Sequence, residues 1–166
     1  MATRKVTYAS ASTITCTLAS LATSSGLTVG RDATEIDNTT NLYLDAWISG
    51  KISVGTTPTA NTRIEIWVIP RFNDSTYPDT FGSTDAGVTV TSRAAALAAG
   101  KLLAVIDVDV NTSNRAYYFG NSLSNAGFLT HPAKFNLWIV HNTGVNLNAT
   151  GGNHELDYKG SYETIA

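Results

Sequence analysis

Charge is scarce in this chain: Asp, Glu, Lys and Arg supply 14% of its 166 residues, against about a quarter in an ordinary soluble domain. That scarcity disfavours a helical bundle or coiled coil, whose surfaces are built from Glu, Lys and Arg. A basic excess is missing too. With 11 basic and 13 acidic residues and a formal charge of −2, the chain lacks the Lys/Arg stripe that phosphate binding requires. Arg4-Lys5 is the nearest basic pair. A single cysteine excludes an internal disulfide and a Cys-rich zinc site. No stretch approaches the roughly 20 apolar residues of a membrane helix, and the first residues carry no apolar block of the signal-peptide kind. The chain therefore reads as made and kept in a reducing cytoplasm until assembly, with neither nucleic acid nor membrane as a partner.

What is present is a hydrophobic fraction of 43% and a polar remainder rich in Thr, Ser and Asn. β-Branched residues favour pleated strands, and Asn, Ser and Gly favour turns. Length fits one domain. Alternation and turn residues predict strands over 12–21, 27–29, 41–53, 63–69, 88–90, 101–110, 115–119, 134–141, 145–147 and 153–164, roughly eight to ten in number. In 12–21, Ile14, Cys16 and Leu18 share a side, so Cys16 reads as a small buried hydrophobe. In 41–53, Leu42, Leu44, Ala46 and Ile48 share a face. In 101–110, Leu102, Ala104, Ile106, Val108 and Val110 point inward and Leu103, Val105, Asp107 and Asp109 outward. Ser92 to Gly100 is one short helix, capped by Thr91 or Ser92 and ended by Gly100. Pro70 stops a strand and opens a long loop over 70–87, which contains Asp74; loops of that length usually carry function. The fold class is all-β: a single antiparallel β-sandwich of jelly-roll type with at most one short helix. It comprises an N-terminal arm over 1–11 and the sandwich over 12–166.

Catalytic patterns are weak. His131, His141 and His154 lack the spacing of a metal site and read as structural. Asp107 and Asp109 point the same way from one strand, and Asp32, Glu35 and Asp37 cluster in a loop, but neither set has a calcium-loop pattern. Gly120-Asn-Ser-Leu-Ser-Asn-Ala-Gly127 places Ser124 where a nucleophile elbow needs its second glycine. No catalytic residue, metal or cofactor is assigned. Trp47, Trp67 and Trp138, with Tyr43 and Tyr77, leave open an aromatic platform for a sugar, although aromatics inside strands more often belong to a core or an interface.

Two stretches carry a resemblance. One is Arg63-Ile-Glu-Ile-Trp-Val-Ile-Pro70 with the loop Asn73-Asp-Ser-Thr-Tyr-Pro-Asp79. The other is Lys134-Phe-Asn-Leu-Trp-Ile-Val-His-Asn-Thr-Gly144, continued by Leu147-Asn-Ala-Thr-Gly151 and Ser161-Tyr-Glu-Thr164. An apolar strand ending in Pro, an Asn/Asp-x-x-Tyr-x-Asp loop and a late Asn-Thr-Gly turn resemble the capsid cement (decoration) proteins of tailed bacteriophages. The resemblance spans about residues 41–164. It implies a non-enzymatic protein on the outer surface of the virion head, bound to the major capsid protein. It further implies a homo-oligomer, with a trimer favoured and a dimer possible. The arm would add to a neighbour's sheet edge. Arg4, Lys5, Phe72, Tyr77 and Phe81 are the expected contact residues. The alternative is a carbohydrate- or receptor-binding module of a fibre or baseplate.

Overall fold

In the computed structural model, which describes residues 3–73 and 75–165, eleven strands, one α-helix and a short 3-10 turn follow in order: β1 (Arg4–Tyr8), β2 (Ser12–Thr13), β3 (Val29–Asp32), β4 (Ile36–Asp37), β5 (Asp45–Ser53), β6 (Thr62–Pro70), β7 (Ala86–Thr89), α1 (Arg93–Ala99), β8 (Lys101–Val108), β9 (Ala116–Ser122), β10 (Lys134–His141), the 3-10 turn (Gly151–Asn153) and β11 (Glu155–Ile165). Residues 1, 2, 74 and 166, within the expected arm, loop and sandwich, lie outside the described residues. Four antiparallel pairings nest inside one another: β2 with β11, β3 with β10, β5 with β9 and β6 with β8. The chain is thus one long hairpin whose first half pairs with its second half in reverse. Contacts of β11 with β5 and of β10 with β6 roll it into two sheets, ordered β1-β11-β5-β9 and β7-β3-β10-β6-β8. This strand order is that of a jelly-roll.

Ile48, Ile52, Ile64, Ile66, Leu137 and Leu156 belong to the core between the sheets. β6 and β10 are apolar on both faces because both faces are covered. On the outer side of the second sheet, Trp67, Ile69, Trp138 and Val140 form a second cluster under the 71–92 segment and α1. Ser92 caps α1 by accepting the Ala95 N–H, and Gly100 follows its end. Among the described residues the outer face of the first sheet has no such cover, and Trp47 and Tyr118 are exposed there.

The strand predicted over 145–147 is reduced to a single bridge from Leu147 to Val54, and three further predicted elements differ for a local reason. The strand expected over 12–21 leaves the first sheet after Thr13, because the chain crosses to the second. There the Thr17 N–H and hydroxyl are taken by Asp85, and Thr15 C=O accepts from Thr34 N–H. Cys16 is half-buried against the core, as its alternation implied, and burial pushes its thiol well up. In β8 the register shifts opposite Ile66 and Trp67, whose partners are Ala104 and Leu102. The skipped residue, Leu103, turns inward at 2% exposure while Leu102 turns out. The β-bulge thus reverses the expected alternation at that end. Finally, β5 begins only at Asp45, so Leu42 and Leu44 are not on its buried face.

Candidate functional site

The expected contact residues separate into three groups. Arg4 and Lys5 are exposed on β1, which pairs with β11 of its own chain rather than reaching outward as an arm. Tyr77 and Phe81 fold back onto the second sheet, at 9% and 7% exposure. Phe81 meets Trp138 edge-on at 5.5 Å between centroids. The long loop therefore has an apolar surface of its own to cover, and these two aromatics are not available as partner anchors. Phe72, at 82% exposure, remains outside.

A group of the scarce charges holds this loop and the helix after it down. Tyr77 donates its hydroxyl to Glu35 at 2.8 Å, and Arg71 pairs with the same carboxylate. Gly82 N–H donates to Asp32 at 2.7 Å. Asp85 binds Arg31. Glu65, buried under α1, accepts from Arg63, Arg93 and Trp67. Burial alone would raise the Glu65 pKa; the hydrogen bonds from Trp67, Arg93 and Arg63 outweigh it and hold the carboxyl below its usual range. In the Asp32, Glu35 and Asp37 cluster, Asp32 binds Gly82, whereas Glu35 and Asp37 share Lys134, at 3.9 and 2.8 Å, and Asp37 also accepts from Thr39.

At one end of the sandwich, three connections present apolar side chains to solvent. The β4–β5 connection is tied by Asn38, whose amide donates to Tyr43 C=O and whose carbonyl accepts Tyr43 N–H. The Tyr43 ring lies on Gly160, where any Cβ would meet it at 2.2 Å. Leu42 sits in the left-handed region at φ 52°. Pinned in this way, the connection leaves Leu42 and Leu44 exposed at 69% and 59%. Leu129, on the β9–β10 connection, is fully exposed. These three leucines line a groove of about 580 Å³, and Phe72 lines a hollow of about 400 Å³ beside it; Thr130 and Ala133 border both. A contiguous apolar surface rimmed by polar residues is characteristic of a protein interaction site. The sequence signal for it lay in Leu42 and Leu44, whose strand-like alternation disguised them as core.

His131 lies under the groove, edge-on to Phe135. Its Nδ1 is 2.7 Å from Pro132 C=O, and because a carbonyl only accepts, the proton sits on Nδ1. Burial lowers the pKa of His131, and the ring is a packed structural element. His141 and His154 are elsewhere, donating to the carbonyls of Leu21 and Asn148. The three histidines are not brought together, and no group of three metal-ligating side chains occurs among the described residues. Asp109 pairs with Arg115 and accepts from the Tyr117 hydroxyl.

Of the three tryptophans, Trp67 and Trp138 are buried and Trp47 is half-exposed. Its indole lies against Gly120, where a Cβ would come within 2.7 Å. The platform foreseen from the sequence is thus reduced to one ring on the bare face of the first sheet. No family model matches this chain, and no curated protein does.

Proposed function

We propose that the protein is a structural virion protein of the capsid-cement type, binding the major capsid protein lattice of a tailed phage through the apolar end formed by Leu42, Leu44, Leu129 and Phe72. The observation that carries this reading is that end: four large apolar side chains lie exposed on connections held by a rigid jelly-roll. Such anchors bind by burial in a complementary hollow, a contact that ionic strength hardly weakens. Repetition over a lattice strengthens attachment whose single contact is modest. The strand and loop motifs at 63–79 and 134–164 point to the same class. Co-sedimentation of the purified protein with emptied, undecorated heads tests it. Saturable binding at a fixed ratio to capsid subunits is expected, and no binding at micromolar concentration overturns the reading.

The exposed ring of Trp47 supports a second reading, a carbohydrate-binding module of a fibre or baseplate. Because Trp67 and Trp138 are buried, a fluorescence titration with sugars reports mainly on Trp47. Saturable quenching favours this alternative.

A further inference from the structure

β1 is the outermost strand of the first sheet, and the direction of its backbone groups follows from one bond. Ala9 N–H donates to Gly160 C=O at 2.9 Å. In the register that pairs Tyr8 with Ser161 and Arg4 with Ile165, this makes Thr7 and Lys5 the residues that exchange hydrogen bonds with β11. Arg4, Val6 and Tyr8 therefore point their N–H and C=O groups away from the sheet, and no partner takes them among the described residues. Two of the other three edges are guarded: β8 carries its bulge, and β7 is only four residues long, whereas β9, the opposite edge of the first sheet, is seven residues without a proline. β1, five residues long, has neither a bulge nor a proline, and its charges are Arg4, which pairs with Glu163, and Lys5.

We infer that β1 pairs antiparallel with β1 of a second copy about a two-fold axis at Val6, joining the two first sheets into one continuous sheet. The register selects itself. With the axis at Val6, each Val6 faces its symmetry mate and each Arg4 faces the other copy's Tyr8. All three outward N–H groups and all three outward C=O groups of each strand are then matched. An axis at Arg4 would set like charges against each other and leave Tyr8 without a partner. The side chains agree with the backbone. Arg4, Val6 and Tyr8 share the outer face with Glu163 and Lys159: Arg4 pairs with Glu163, and the Lys159 ammonium lies 5.6 Å from the Tyr8 ring. In the pairing, the Arg4 guanidinium meets an aromatic face, a favourable cross-strand match, and the exposed Val6, at 63%, meets its own copy. The interface is isologous, as closed two-fold assembly requires. It lies on the first sheet's edge and does not depend on the capsid reading.

Light scattering on the eluting full-length protein tests the inference. A mass twice 17.6 kDa is expected at micromolar concentrations. Val6→Pro removes an outward N–H without touching a bond to β11, so the variant keeps its thermal melt. It is expected to weaken the dimer at least about tenfold, since two of the shared hydrogen bonds are lost. Val6→Cys in a Cys16→Ala background gives a positive readout. Directly opposed residues of a hydrogen-bonded pair lie about 5.5 Å apart at Cα, within disulfide reach, so an oxidised dimer forms on a non-reducing gel. A monomer at every concentration, or a dimer that Val6→Pro leaves intact and Val6→Cys does not cross-link, overturns the proposal.

Discussion

Asp32 and His141 are fully buried ionisable groups whose titrations oppose each other. Burial raises the Asp32 pKa from 3.8 to about 7, although the Gly82 N–H and the Asn136 amide lower it in part. Its folded value exceeds its unfolded one, so its contribution is fully present below about pH 4 and is lost as pH rises through 7. Burial lowers His141 from 6.5 to about 4, so its contribution is present above pH 6.5 and is lost as pH falls toward 4. Between pH 4 and 6.5 these two slopes have opposite signs and offset each other, while His131 and His154, also lowered by burial, leave a net rise of stability with pH. Asp32→Asn removes one slope. At pH 8 the variant is expected to be more stable than the parent by up to about 4 kcal/mol, and at pH 4 no more than equal to it. Thermal melts across that range check this, and a variant less stable than the parent at pH 8 contradicts it. Phe72 and Tyr77 make a second contrast, since they share one loop but differ in exposure. Tyr77→Ala uncovers the second cluster and deprives Glu35 of a donor, costing about 2–4 kcal/mol. Phe72→Ala should leave the denaturation midpoint unchanged within about 0.5 kcal/mol.

At the scale of elements, the 71–92 segment with α1 forms a partial third layer, joined to the second sheet by aromatic packing and carboxylates. Glu65 is the central tie to α1. Glu65→Gln leaves at least one of Arg93, Arg63 and Trp67 facing an amide that cannot accept, with an expected loss of about 2–3 kcal/mol. Hydrogen exchange should quicken across α1 before it does in β6 or β10. The sheets and this helix were legible in the sequence because alternation, Gly100 and the cap at Ser92 are local signals. What was hidden depended on tertiary contacts. Leu103 exchanges places with Leu102 only because β8 bulges against β6. Leu42 and Leu44 alternate like a strand, yet Asn38 and Tyr43 bind the chain into a connection. Tyr77 and Phe81 look like free loop aromatics until the apolar outer face of β6 and β10 is known to need a cover. That need was itself readable from strands apolar on both faces, and is the signal by which the folded-back loop could have been found.

Over the whole molecule, low charge acquires a location. Part of it ties the loop layer to the second sheet; among the described residues an apolar end, a bare sheet face and the open edge of β1 remain. Each surface goes with one proposal: the apolar end with lattice attachment, Trp47 with a sugar platform, and β1 with self-association. Binding to undecorated heads, measured side by side for the parent, Leu129→Asp and Trp47→Ala, tests the central claim most directly. Leu129 is fully exposed and supports no packing, so Leu129→Asp keeps the fold intact. Leu129→Asp is expected to weaken binding at least about tenfold, the equivalent of some 1.4 kcal/mol, while Trp47→Ala binds like the parent. Full binding by Leu129→Asp, with loss in Trp47→Ala, would contradict it.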